Sequence, residues 1–335
     1  MAEKVCYFAI ACDSDPDKLP PYRKLPVGED PLLIWRGLLE GVPALRKALS
    51  ERHAAVPITW LLRCDRQIAE VYDNPAWCYR GLERLWDEER KLGGELGWHP
   101  HLFRWTESAG RWDPHLGGDE DAAMLEQCVA ELRSCTPINV VRTGWNYHSN
   151  TLMALFARLG MVADASAIPG SLEISRGWTH DWEGTPRVPY RPARADYRRP
   201  ARAGEESLPI VEVPTLVLDL PIHQRVVRHV IRLRRNRGKA RKPSWESARW
   251  QGQFMTRMPA KFQEAMRQWV QMEHGPGPMA LVSYFHPDEL LWADGIANFV
   301  RNMTTVSSTL EACGITLVPS TLSALVERVW RGKVA

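Results

Sequence analysis

The feature that most constrains this chain is an alternation: short apolar runs of strand length are followed repeatedly by stretches with helical spacing. Val5–Cys12 is a continuous apolar run ending in acids, as a parallel strand buried on both faces does. Leu32–Leu49 follows with helical spacing at Leu38, Val42, Leu45 and Leu49. Val56–Leu62 reads as a second strand, then Ala76–Leu92 as a helix closed by Gly93-Gly94, then Glu95–Trp98 as a strand. The rhythm continues with a helix at Ala122–Leu132, a strand at Ile138–Val141, a helix at Asn150–Arg158 and a strand at Met161–Ala165. Later come Leu208–Leu220 (strand), Pro259–Met272 (helix), Met279–Phe285 (strand), Pro287–Ala312 (helix) and Ile315–Val318 (strand). Repeated βα units predict a parallel sheet. About seven or eight of them favour closure, so the expected fold is a distorted (β/α)7-8 barrel. The whole chain, 1–335, is expected to form one barrel domain.

Two stretches break this rhythm. Residues 176–204 are rich in Pro, Arg, Trp and Tyr without any period, and are expected to form an ordered active-site loop. From Arg225 to Lys242 there are nine basic residues and no acid. As structure this segment reads as a solvated helix face plus a loop. As a site it would attract an anionic glycan, a nucleotide-linked sugar or a membrane surface.

Composition narrows the classes. A net charge of +3 excludes a polycation that seeks nucleic acid, and no nucleic-acid motif accompanies the basic segment. Seven cysteines, an odd number without CxxC spacing, exclude a disulfide framework and a cysteine zinc site. They fit buried thiols in a reducing compartment. No run approaches the roughly 18 apolar residues that cross a bilayer. Val5–Cys12 is short and runs straight into Asp13, so it reads as a strand and not a signal peptide. The expected location is the cytoplasm.

The chemistry-bearing residues gather just past the apolar runs, where a parallel barrel keeps its active site. Asp13-Ser14-Asp15 follows the first strand, His99-Pro100-His101 the third and Arg142-Thr143-Gly144-Trp145 the fourth, while His286-Pro287-Asp288 follows Met279–Phe285. Residues i and i+2 of an extended chain point the same way, so His99 and His101 present two imidazoles together. Two neutral imidazoles and one carboxylate make a three-ligand site with a position open for water, the pattern of catalytic zinc. Fe(II), Ni(II) and Co(II) accept the same ligands. Singly each motif has a plainer reading: Asp-x-Asp as a turn, His286-Pro287-Asp288-Glu289 as a helix start, Arg142 as a surface ion pair. Fifteen tryptophans are unusual for this length, and Trp105, Trp145, His148 and Trp182 are candidates to wall a sugar-binding pocket.

In this order the segments Tyr7–Asp15, Ile58–Arg63, Gly94–His101, Arg142–Trp145, Gly160–Gly170, Val211–Pro214 and Tyr284–Pro287 resemble the NodB-homology polysaccharide deacetylases, carbohydrate esterase family 4. The likeness is to a divergent bacterial branch with an HxH metal motif. It implies a distorted barrel and removal of an acetyl group from an amino sugar or glycan. It further implies Asp13 as general base, Asp15, His99 and His101 as ligands of one divalent ion (zinc foremost), Arg142 as the residue that orients the base, and His286 as general acid. The sequence departs from the family where Ser14 separates the acids, leaving open which is base and which is ligand, and where His-x-His replaces His-x-x-x-His. Other functions remain on these residues: a metal–nucleotide site of a glycosyltransferase at Asp13-Ser14-Asp15, a non-catalytic carbohydrate-binding barrel, or hydrolysis of a non-carbohydrate amide.

Overall fold

The structure, a computed structural model, describes residues 4–53, 55–115, 119–175, 178–235, 237 and 244–331. At its centre lies β1 (Lys4–Ser14), buried without a break from Phe8 to Ser14. It pairs in parallel with β2 (Thr59–Leu62) along Ala11–Ser14, with β7 (Met279–Phe285) along Cys6–Cys12 and with β8 (Ile315–Ser320) along Lys4–Ala9. From β2 the sheet continues through β3 (Glu95–Trp98), β4 (Val140–Val141), β5 (Ala163–Asp164) and β6 (Val211–Glu212), every pair parallel. The sheet curls into the expected distorted (β/α)7-8 barrel. Between β6 and β7 an antiparallel pair, Val217–Asp219 with Trp250–Gly252, fills the gap. There the Leu216 amide donates to the Val282 carbonyl at 2.7 Å and the Met255 amide to Tyr284 at 2.9 Å.

Alternation along β1 sorts the core into two layers. Cys6, Phe8, Ile10 and Cys12 face the outer helices, while Ala9 and Ala11 face inward. The inward residues share a core cluster with a helix whose other side, at Glu327 and Arg328, is exposed. Leu322, Leu325, Val326 and Val329 of the C-terminal helix Leu322–Arg331 pack on Ala9, Ala11, Leu61, Val140 and Ala163. Burying each of those four side chains contributes roughly 1.5–3 kcal/mol. Their i, i+3, i+4, i+7 spacing is legible as a helix, one that the strand–helix series above omits.

Several expected elements are divided. Leu208–Leu220 is two short strands in different sheets, because Pro214 interrupts the ladder between β6 and Val217–Asp219. Leu32–Leu49 becomes a π-turn at Gly37–Gly41 and an α-helix at Val42–Ser50. Asp17 accepts from the Arg36 and Gly37 amides there, and a Cβ on Gly37 would stand 2.4 Å from the Pro287 backbone. Ala76–Leu92 splits into Trp77–Arg80 and Glu83–Lys91, and an unanticipated helix, Arg66–Tyr72, precedes it. Pro287–Ala312 is a 3-10 turn, Pro287–Leu291, followed by the helix Gly295–Ala312. Residues 178–204 are ordered and partly in hairpins, whereas 176 and 177 lie outside the described residues. The basic segment is a helix over Ile222–Arg235, and 236 and 238–243 lie outside the described residues. Among the described residues no helix is long and apolar enough to cross a membrane. All seven cysteines are free.

Candidate metal centre and cleft

The strand ends bring Asp15, His99 and His101 together although the first is more than eighty positions from the others. The two Nε2 atoms lie 3.1 Å apart, Asp15 Oδ2 is 3.5 Å from His99 Nε2, and Asp15 Oδ1 is 3.3 Å from His101 Nε2. A tetrahedral zinc ion with bonds of about 2.0–2.1 Å holds its ligands about 3.3–3.4 Å apart. Asp15 meets the two imidazoles through different oxygens, and one ligand atom from each residue lies within 4.8 Å of the others, a cluster of the size that could hold one such ion. His99 Nδ1 is 2.7 Å from the Arg142 carbonyl, which only accepts, so Nδ1 carries the proton and Nε2 keeps its lone pair for the triangle. Burial, together with the Arg63 guanidinium, pushes the His101 imidazole down to about 4, against the pull of Asp15. Burial alone would raise the Asp15 carboxyl, but the facing imidazoles outweigh it and hold it well below the usual carboxylate range.

Asp13 occupies a different place. Its Oδ2 accepts from Arg142 Nε at 3.0 Å and lies 3.5 Å from His286 Nε2, while its Oδ1 is buried without a hydrogen-bond partner. Arg142 is fully buried, lies over the Tyr284 ring at 3.8 Å and donates to the Ala165 carbonyl. His286 Nδ1 is 3.2 Å from Glu289 Oε1. Burial would lower this imidazole, but the hydrogen bond to Glu289 and the Asp13 charge raise it to about 9, so it is protonated at neutral pH.

Asp15, His101 and His286 open onto a cleft of about 290 Å³ that Arg63, Trp145 and Glu289, among others, also line. A larger hollow of about 690 Å³ between Val42–Ser50 and Gly295–Ala312 holds no comparable ligand cluster among the described residues. Of the pocket-wall candidates only Trp145 lines the cleft. It stands edge-on to His101 at 5.3 Å, on a turn where Trp145 and Asn146 adopt φ of 51° and 53°. Such left-handed backbone is strained for these residues and needs support. That support comes from the irregular stretch: His180 Nδ1 donates to the Trp145 carbonyl at 2.9 Å and Trp182 Nε1 to the Asn146 carbonyl at 2.8 Å. Trp182 is fully buried and His148 pairs with buried Asp164 at 2.6 Å, so both are core and not cleft. Trp105 sits in the hairpin Phe103–Thr106 with Arg111–Pro114, its indole N–H on Glu107. Residues 178–204 thus brace the cleft from behind without lining it.

Sequence reading missed Arg63, Asp65 and Glu289. Arg63, 1% exposed, donates to Asp15 at 2.8 Å, to Asp65 at 2.7 Å and to Gln67 at 2.8 Å. Asp65 in turn accepts from the His101 amide at 3.1 Å and caps the helix Arg66–Tyr72 through the Ile68 amide. The signal was available: Arg63 follows β2 as Asp13 and Asp15 end β1, in the position where barrels carry chemistry.

No protein-family model matches the sequence, and no curated protein does. Solved structures do. One, assigned as a polysaccharide deacetylase from Mycobacterium smegmatis, aligns over 99% of this chain and 92% of its own at 17% identity, with a TM-score of 0.52. A second, assigned as a glycoside hydrolase/deacetylase from Parabacteroides distasonis, aligns over 98% and 72% at 13% identity, with a TM-score of 0.58. The chain has the NodB-like deacetylase fold. An allantoinase, Puue, is also similar, over 98% of this chain and 90% of its own at 11% identity, with a TM-score of 0.51. Within the NodB-like fold, the strand ends that carry the acids, the two histidines, the arginine and the late histidine here are those of β1, β3, β4 and β7.

Proposed function

We propose that this chain is a metal-dependent hydrolase that removes an acyl group, foremost acetyl, from an amino sugar, glycan or related N-acyl compound. The convergence of Asp15, His99 and His101, one ligand atom from each within 4.8 Å of the others, carries the reading, and the deacetylase names of two fold neighbours support it. Asp15, His99 and His101 would hold one divalent ion, zinc foremost. Bound there, such an ion lowers the pKa of its water toward neutrality and polarises the acyl oxygen. Asp13, whose Oδ1 has no hydrogen-bond partner, takes the water proton, and Arg142 aims that carboxylate. Protonated His286 gives its proton to the departing amine or alkoxide, and Glu289 holds the ring in place for that transfer. Trp145 offers a flat apolar wall for a sugar face. The free and mostly buried cysteines support a reducing compartment, so we assign the chain to the cytoplasm.

Two measurements test this. Metal analysis of the purified protein should find a stoichiometric ion that His99→Ala loses; a metal-free native protein would instead support a non-catalytic binding barrel. Acetate release should then be followed on N-acetylated sugars and nucleotide sugars, with allantoin included because one fold neighbour is an allantoinase. Activity confined to non-carbohydrate amides would remove the sugar assignment.

A further inference from the structure

The helix Ile222–Arg235 is mounted the wrong way round. A surface helix ordinarily buries its apolar stripe and shows its charges. Here Arg228 donates to the Trp250 carbonyl at 2.7 Å, Arg232 to the Ser247 carbonyl at 2.6 Å, and Arg225 to Asp219, so arginines face the protein. The apolar residues face out: Ile222, Val226, Val227, Val230, Ile231 and Leu233 are between 38% and 68% exposed. At 100° per residue they span half the circumference, interrupted only by His223 and Arg234. Trp245, 44% exposed, stands beside them with its ring 5.5 Å from that of His229. Six exposed apolar side chains on one short helix form a patch that a free surface does not ordinarily keep.

Charge identifies what covers it. From Arg225 to Lys242 the sequence has nine basic residues and no acid; Arg225, Arg228 and Arg232 face the protein, Arg234 and Arg237 are exposed, and Lys239, Arg241 and Lys242 lie outside the described residues. A second copy of the chain would set two such segments together with nothing on either to neutralise them. A nucleic acid would neutralise the charge but offers no hydrocarbon to the valines. A bilayer with anionic headgroups supplies both, and an outward apolar face with flanking cations and a tryptophan is how interfacial helices sit in one. We propose that the outward face of Ile222–Arg235 docks the protein on an anionic lipid surface, lying in the headgroup boundary without crossing it.

The test is sedimentation of the full chain with vesicles of phosphatidylcholine alone or rich in phosphatidylglycerol, and it needs no catalysis. Binding is expected on the anionic vesicles only and should weaken as salt rises. Val227→Asp with Ile231→Asp should abolish it, and Arg234→Gln and Arg237→Gln should each weaken it about fivefold. Val27→Asp, on a fully exposed residue elsewhere, should leave it intact. All these side chains are exposed, so thermal unfolding should not move. Failure to bind phosphatidylglycerol vesicles, or binding unaffected by the valine and isoleucine changes, would overturn the proposal. So would a dimer in light scattering that Val227→Asp with Ile231→Asp dissolves, since the face would then belong to a second copy.

Discussion

Gly144→Ala is a probe of the candidate metal centre that replaces no ligand. Gly144 has an ordinary negative-φ backbone, so alanine is conformationally acceptable there. The difficulty is space: a Cβ at Gly144 would lie 2.2 Å from His101 Cδ2 and 2.4 Å from His101 Nε2. Carbon atoms in contact sit about 3.5–4.0 Å apart, so the ring must retreat by more than about 1 Å. It cannot swing freely, being stacked on Phe103 at 5.3 Å, edge-on to Trp145 and facing His99. Metal sites tolerate ligand displacements of about 0.2 Å. Zinc affinity, measured by competition with a chromogenic chelator, should therefore fall at least about 10–100-fold, the loss seen when support of a ligand is removed. Circular dichroism should report an unchanged fold. A Gly144→Ala protein that binds a stoichiometric ion within threefold of the native affinity would refute the reasoning, because Nε2 of His101 would then not be a ligand.

Other outcomes follow from the same geometry. His286 is held protonated up to about pH 9 chiefly by Glu289, so hydrolysis should decline as pH rises through that value. Glu289→Gln removes the supporting charge, and the alkaline limb of the kcat profile should move to lower pH; an unmoved limb would mean that His286 is not the proton donor. Trp182→Ala should cost about 3–5 kcal/mol of stability in a denaturant titration, as a fully buried tryptophan does, yet leave metal stoichiometry intact. Trp145→Ala should do the reverse, raising KM with little change in the unfolding midpoint. Arg63→Met strips buried Asp65 of its guanidinium partner and should destabilise by about 3–5 kcal/mol, read in the same titration.

Much of the barrel was legible because its strands are continuous apolar runs, and β1, β3 and β7 fall where the runs do. The strand-end polar clusters were legible for the same reason: periodicity stops where the sheet does. What the sequence hid is three-dimensional. Nothing local distinguishes Trp145 at the cleft from Trp182 behind it, since both stand near polar residues and only packing separates them. The π-turn at Gly37–Gly41 arises from contact with Pro287, some 250 positions away, which no local pattern encodes. Leu208–Leu220 read as one strand because its apolar residues are continuous, although Pro214 forbids a continuous ladder.

The pairing of β1 also sets a timetable for synthesis. A ribosome delivers β1 first among the barrel strands, yet two of its three partners, β7 and β8, and the helix that shares its inward core cluster are delivered last. Asp13 and Asp15 are therefore translated long before the lattice that aims them exists, and the nascent apolar strand must wait, exposed, for its neighbours. Such long-range closure is slow and prone to aggregation. Recombinant versions clipped within Leu322–Arg331 would strip apolar side chains from the inward core cluster at the moment the barrel tries to close.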